Sequence, residues 1–334
     1  MATIMACAGF AAICGSNAAT AATMTTVALP EMQKYKYRDI LSTGSIACGS
    51  TLGVVIPPSV VLIVIGLYTG QSIAKLFYGG VAAGVLLAFF FLLTVYILCR
   101  LNPTWGPAGP KTSFSEKIGS LPGALEMLIL FLLIMIGLYF GIFTPTEAGA
   151  AGSFFAVLIS LVERSLSWKG FIASIVDTLR VSCMVMMLVA GAVIFGKFLA
   201  VTRIPFDIAT WVSGLPVPNA VIMSIIFIIY IIGGAVMDAL ALLLITIPIF
   251  FPVAIKLGYD PIWFSVTITV ITTLGAVTPP VGATTYVVGG MAKDVPLSRV
   301  FRGVSYFLPS YIFCIVVLML FPAIVTFLPN LIKY

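Results

Sequence analysis

Two copies of one octapeptide constrain everything else in this chain. Thr51-Leu52-Gly53-Val54-Val55-Ile56-Pro57-Pro58 returns as Thr273-Leu274-Gly275-Ala276-Val277-Thr278-Pro279-Pro280, at an offset of 222 residues. The same offset carries Pro30 onto Pro252 and Tyr37 onto Tyr259; with two extra residues, Phe77 and Gly79 fall on Phe301 and Gly303. An ungapped register from Pro30 to Pro58 marks a structural duplication. Each double proline stands in the middle of an apolar stretch, 41–68 or 263–290, otherwise fit to be one helix. Two successive prolines remove two backbone donors and clash with the preceding turn, so both helices are predicted to break there.

The medium around those helices is lipid. Of the 334 residues 61% are hydrophobic and 8% are charged, where a soluble domain carries about 25% charged residues. Seventeen Lys+Arg and eleven Asp+Glu cannot coat a soluble globule of this length. Apolar runs of about 20 residues recur along the chain, which predicts an all-α polytopic membrane protein. Disorder, collagen and coiled coil are excluded by the same numbers. The absence of histidine removes Ser-His-Asp triads, imidazole acid–base chemistry and His-ligated metals. Six cysteines, Cys7, Cys14, Cys48, Cys99, Cys183 and Cys314, form no CxxC pair and read as buried, inert thiols. The net charge of +6 is explained by basic residues in short loops and requires no nucleic acid. No Walker A motif is present, so this chain consumes no ATP, and no cofactor is expected.

Ahead of each double-proline motif lies an apolar stretch with a polar or glycine-rich tip. The first tip is Gly15-Ser16-Asn17, between limbs 2–13 and 18–29; the second is Gly233-Gly234 through Asp238, between limbs 221–232 and 239–251. Limbs of about 12 residues fall short of a hydrocarbon core of about 30 Å. Each pair is therefore predicted to be a re-entrant helical hairpin, a single bent spanning helix being the alternative. The other crossing segments are 41–68, 76–98, 124–138, 148–162, 181–200, 263–290 and 305–327.

With both tips treated as hairpins, eleven basic residues fall on one side: Lys34, Lys36, Arg38, Arg100, Lys111, Lys117, Arg164, Lys169, Lys293, Arg299 and Arg302. Five fall on the other, Lys75, Lys197, Arg203, Lys256 and Lys333, with Arg180 unassigned near a helix entrance. The positive-inside rule favours the hairpins, places the first group in the cytoplasm and makes the two copies inverted. The expected organisation is an incomplete first repeat over residues 1–98, a cytoplasmic linker 99–123 and a second repeat 124–334. Three crossing segments precede the second hairpin and none the first. The expectation is therefore an opening stretch of roughly 90–100 residues ahead of this sequence.

Inverted repeats with broken helices near the midplane are the architecture of secondary transporters. Irregular backbone survives at that depth only when buried in protein or lining a site. A tip facing an unwound Gly/Thr/Pro segment offers carbonyls and hydroxyls to a hard cation such as sodium, and helix N-termini to a carboxylate. The first candidate site is Ser16 and Asn17 against Ser50, Thr51, Gly53 and Pro57. The second is Gly234 and Asp238 against Thr272, Thr273, Gly275, Thr278 and Pro279. Each residue also has a plain reading. Ser16, Asn17 and Asp238 stand where helix caps are wanted, and the threonines can bond back to their own helices. Glu147, in Thr144-Pro145-Thr146-Glu147, reads as a helix-start cap rather than a ligand.

These motifs carry a resemblance. GSNAATAAT at 15–23, TLGVVIPPSVVLIVIGLYTGQSIAKLF at 51–77, GIFTPTEAGAAG at 141–152, MDALALLLITIPIFFPV at 237–253 and TTLGAVTPPVGATTYVVGGMA at 272–292 together resemble the large membrane subunit of tripartite ATP-independent periplasmic (TRAP) transporters. The resemblance implies a multi-pass subunit of the bacterial inner membrane and an elevator mechanism driven by sodium. In that mechanism two hairpins and two broken helices move against a scaffold, with sodium held between each hairpin and its broken helix. It also implies a small membrane subunit as partner and a periplasmic substrate-binding protein that delivers a small organic acid. A stand-alone sodium symporter of the divalent-anion type shares the hairpin logic but lacks the TPTEAG and MDALALLL stretches. An intramembrane enzyme is disfavoured by the absence of histidine and of a paired midplane aspartate.

Overall fold

The computed structural model describes residues 1–107, 122–214 and 216–331, and among them helix is the one regular structure. Lys111, Lys117, Lys333 and residues 108–121 of the expected linker lie outside the described residues. The first helices are α1 (Ala2–Cys14), α2 (Asn17–Lys34), α3 (Asp39–Ser50), α4 (Leu52–Val55), α5 (Val60–Thr69) and α6 (Ile73–Leu101). Then come α7 (Pro122–Tyr139), α8 (Pro145–Val162), α9 (Trp168–Thr202) and α10 (Ile204–Ser213). The chain continues with α11 (Asn219–Val236), α12 (Ala239–Lys256), α13 (Pro261–Gly275) and α14 (Ala283–Met291), and closes with α15 (Leu297–Ser305), α16 (Leu308–Leu320) and α17 (Ala323–Leu331). Among the described residues seven spans are long and apolar enough to cross a membrane. The chain is an all-α polytopic membrane protein.

Packing divides the chain into Met1–Pro110 with Pro205–Tyr334, and Lys111–Ile204. In the second unit α7 packs on α8, with the Ile134 side chain at Gly152. The start of α8 is closed by a capping box: Thr144 Oγ1 accepts from the Glu147 N–H, and Glu147 Oε2 accepts from the Thr144 N–H at 2.8 Å. Glu147 is thus the cap that the Thr-Pro-Thr-Glu pattern predicts.

In the first unit the duplication reaches the helix boundaries. Helices α2 and α12 correspond at both ends at the offset of 222, as do the ends of α1 and α11, the starts of α3 and α13, and the ends of α5 and α14. Helix α6 and α15 start 224 apart, matching the two extra residues. Even the loop after the hairpin repeats. The Tyr37 N–H donates to Met32 O at 2.9 Å and the Tyr259 N–H to Ala254 O at 3.0 Å, across left-handed Lys36 and Gly258. Both helix pairs are antiparallel. The Thr3 hydroxyl near the start of α1 reaches Met32 near the end of α2, and Asn219 Nδ2 at the start of α11 donates to Leu257 O just beyond α12.

The predicted breaks are present. Residues 56–59 and 276–282 are not α-helical, and Pro57-Pro58 and Pro279-Pro280 are both cis. Helix α16 ties both broken helices together. Tyr311 meets Thr51, while the Trp263 Nε1–H of α13 donates to Leu318 O at 2.7 Å. The Ser310 and Thr94 hydroxyls pair between α16 and α6.

Five sequence expectations are corrected. Helices α2, α11 and α12 have 18 residues each, about 27 Å long, so those limbs are not too short to cross. The limbs expected from the sequence end just before Pro30 and Pro252, but the helices continue through both and end at Lys34 and Lys256. Each proline costs one internal bond, and a cation in the last turn complements the helix dipole. The segment 181–200 belongs to a 35-residue helix that begins at Trp168 under a Ser167 cap, so Arg180 lies inside the helix, paired with Asp177 at 3.4 Å. The segment 305–327 is interrupted twice, around Tyr306 and at Phe321-Pro322, and the short helix α10 has no counterpart among the expected segments. Cys7, Cys48 and Cys314 are buried as expected, whereas Cys183 is exposed.

Helices pack in lipid by close approach of small residues rather than by expelling water. Helix α3 crosses α15 at Gly44 and Gly303, where a Cβ on Gly44 would stand 2.6 Å from Gly303 C. Gly44→Ala is expected to lower stability by about 2 kcal/mol through overpacking. Gly290→Ala, with nothing within 4 Å, is expected to be neutral. Thermal unfolding of the purified variants in detergent separates the two.

Candidate functional site

Each hairpin tip is seated backbone to backbone on the break that follows it. In the first copy Ser16 caps α2 and its carbonyl packs on Gly53, where a Cβ would lie 2.9 Å from Ser16 O and 3.0 Å from Thr20 Oγ1. Gly15 packs in the same way on Pro58 O, at 2.7 Å from its own Cβ position. The break beneath is rich in acceptors. Pro57 has no N–H to give Gly53 O, and among the described residues no other donor takes its place. Val54 O is recovered by the Ser59 hydroxyl at 2.5 Å. Thr51 Oγ1 donates to Cys48 O at 2.7 Å and Ser50 Oγ to Ile46 O at 2.6 Å. Their protons are spent, so their remaining lone pairs can only accept. Asn17 Oδ1, at the first turn of α2, is buried and has no hydrogen-bond partner.

The second copy closes more tightly. A Cβ on Gly275 would lie 2.5 Å from Gly234 C, and one on Gly234 would lie 3.1 Å from Thr272 O. Only glycines allow this seat. Ala235 O accepts from the Val281 N–H at 3.1 Å and the Gly282 N–H at 3.4 Å, tying tip to break. The carbonyls released by Pro279 and Pro280 find new donors: Thr278 N–H reaches Gly275 O at 2.9 Å, and Thr284 N–H reaches Ala276 O at 3.0 Å. Thr272 and Thr273 donate back to Thr269 O and Val270 O, and Thr278 to Leu274 O.

The structure therefore seats Ser16, next to Asn17, on Gly53, with Ser50, Thr51 and a buried Pro57 on the same stretch of chain as Gly53. It also brings Gly234, Thr272, Thr273 and Gly275 together. Thr278 is half-buried and Pro279 exposed. Asp238 is exposed and caps α12, its Oδ1 accepting from the Leu240 N–H at 2.9 Å. It occupies the position that Ser16 holds in the first copy. Sequence reasoning missed Thr20, Ala235 and Tyr311. Thr20 lies one turn past Ser16 and donates to its carbonyl at 2.8 Å, within reach of a helical-spacing argument. Ala235 acts through its carbonyl, and Tyr311 lies 260 residues from the Thr51 it touches. Neither leaves a local signal.

Among known proteins, the family model for the tripartite ATP-independent periplasmic transporter, DctM component, matches residues 1–324. The chain is 33% identical over 331 residues to the C4-dicarboxylate TRAP transporter large permease protein DctM of Pseudomonas aeruginosa, covering 99% of this chain and 77% of that protein. It is 30% identical to the sialic acid TRAP transporter large permease protein SiaM of Vibrio cholerae, covering 98% and 76%. It is also 30% identical to the ectoine/5-hydroxyectoine TRAP transporter large permease protein UehC of Ruegeria pomeroyi, again covering 98% and 76%.

The glycine seat has a direct readout. Gly275→Ala must lift the second tip from its break and loosen the bonds into Ala235 O. Amide exchange at Val281 and Gly282 is expected to quicken by about tenfold or more, a loss of about 1.4 kcal/mol of local stability. Mass-spectrometric hydrogen exchange on the peptide spanning both amides measures it.

Proposed function

We infer the function from the family to which this chain belongs, that of the DctM component of tripartite ATP-independent periplasmic transporters. As such it is a transporter permease subunit of a multi-pass membrane type and not an enzyme. We propose that it carries out sodium-coupled uptake of a small organic acid across the bacterial inner membrane. The acid is delivered by a periplasmic binding protein, and a small membrane subunit is the partner. The substrates named for the three relatives, a C4-dicarboxylate, sialic acid and ectoine, all carry a carboxylate, which supports that substrate class.

Sodium coupling is carried by one observation: the buried, donor-less Asn17 Oδ1 above a break whose Gly53 carbonyl also lacks a donor. Buried acceptors without donors are costly. A hard cation needs acceptors and tolerates no N–H among its ligands. Asn17 Oδ1, Thr51 Oγ1 and Gly53 O are the acceptors left for such a set, while Ser16 O is already engaged by the Thr20 N–H and hydroxyl. Gly234, Thr272, Thr273, Gly275 and Thr278 form the weaker counterpart in the second copy, with Pro57 and Pro279 setting each break. Sodium here is cargo and driving ion. The N-termini of α2 and α12, under Ser16 and Asp238, suit a substrate carboxylate.

The elevator reading draws support from the seats. A tip locked backbone to backbone on its break moves with it as one body, which suits translation of hairpins and broken helices together. The loop charges support copies of opposite orientation, spanning residues 1–98 and 124–334 about the linker 99–123, and hairpins that return to the side they left. Re-entrance of those hairpins belongs to the same reading. With limbs of 18 residues it rests on the breaks beneath the tips rather than on length.

Uptake into proteoliposomes holding the chain with its small subunit, fed by the loaded binding protein, tests the function. Collapse of the sodium gradient is expected to stop uptake, and undiminished uptake sinks the coupling. Asn17→Ala is expected to raise the sodium concentration for half-maximal uptake by about tenfold, the loss of one charge-assisted ligand. Inversion has its own test. With the six native cysteines replaced, Gly258→Cys is expected to react with an impermeant thiol reagent in spheroplasts. Lys36→Cys, at the matching position of the first copy, is expected to react only after permeabilisation. Labelling of both from one side overturns the inverted arrangement.

A further inference from the structure

We propose that Tyr311 is a positioning residue for the first cation site. In this role, which rests on the sodium-coupled reading above, its hydroxyl fixes the lone pairs of Thr51 and anchors the first break to α16. Tyr311 is fully buried, and its hydroxyl lies 2.6 Å from Thr51 Oγ1, across 260 residues of sequence. Each hydroxyl owns one proton. Cys48 O can only accept and takes the Thr51 proton at 2.7 Å, which assigns the donor role between the two hydroxyls to Tyr311, whose hydroxyl also faces the Cys48 side chain. Thr51 Oγ1 thus gives one proton, receives one, and keeps a single free lone pair for a ligand.

The matching threonine of the second copy is held differently. Thr273 donates to Val270 O at 2.6 Å, the counterpart of Thr51 to Cys48, but among the described residues no second hydroxyl reaches it. Among the described residues the first copy alone has its threonine clamped from outside its own helix. The clamp is rigid because the Tyr311 ring stacks edge-on against Phe91, 5.0 Å between centroids, beside the equally buried Phe307. Tyr311→Phe keeps that ring in place and removes the hydroxyl alone. The neighbouring Ser310 gives a matched control: its hydroxyl bonds Thr94 and Phe90 O on α6 and belongs to no candidate site.

The test uses the purified full chain and sodium chloride against choline chloride at equal ionic strength, reading the melting temperature. Wild type is expected to be stabilised by sodium. Tyr311→Phe is expected to need about three to ten times more sodium for half the shift, the loss of one buried hydrogen bond at the site. Ser310→Ala is expected to keep the wild-type sodium response even where its starting melting temperature falls. In a Thr51→Val background Tyr311→Phe is expected to add no further change, because it acts through Thr51. An unaltered or lowered sodium requirement in Tyr311→Phe overturns the proposal, as does an equal increase in Ser310→Ala. A wild-type chain indifferent to sodium overturns the function reading itself, and shows before any variant is made.

Discussion

Hydrocarbon offers nothing to replace a lost backbone hydrogen bond, and this chain loses two at each double proline. Much of its first packing unit is arranged around those losses. Each hairpin brings a glycine-bearing tip onto a break, since any Cβ at Gly53 or Gly275 would hold the two apart. Hydroxyls of Ser59 and Thr285, on the far sides of the breaks, turn back to Val54 O and Val277 O. Helix α16 then holds both broken helices by one buried bond each, from Tyr311 and to Trp263. A chain with such a repair problem has a reason to keep the breaks: unpaired oxygens in a dry interior are what a cation site is made from.

The two copies solve the same problem unequally. The second repairs itself by backbone bonds, with Ala235 O, Gly275 O and Ala276 O all supplied by nearby amides. Its double proline still reaches the surface. The first is buried, leaves Gly53 O and Asn17 Oδ1 without donors, and borrows a hydroxyl from α16. A duplicated scaffold has thus produced one site poor in donors and one nearly self-sufficient. This contrast makes the first the stronger cation candidate.

The sequence carried the fold class, both breaks, both tips and most of the residues named for the candidate site. The double prolines and their common offset are properties of covalent chemistry and counting. Helix ends are less legible, because Pro30 and Pro252 look like stops. A proline inside a helix costs a bond without ending the helix when neighbours and a terminal lysine support the last turn. Helix α9 shows the same limit from the other side. The stretch 181–200 reads as apolar and therefore crossing, whereas the polar turns from Trp168, with Asp177 and Arg180 exposed, extend the helix beyond it. Tyr311 and the Ala235 carbonyl lie out of reach. One acts across 260 residues and the other through an atom every residue has.

The coincidence of helix ends has a consequence for how such a chain tolerates change. Between the copies most side chains differ, yet five helix boundaries keep one spacing, and the change of two residues in that spacing falls in the links 70–72 and 292–296. Those links are where length has been free to vary since the duplication. The ruler from the second limb of each hairpin to the end of its broken helix has not stretched by a single residue, because one insertion there would rotate a helix by about 100° and turn its break away from the tip. Drift in this protein has been permitted in composition and refused in register.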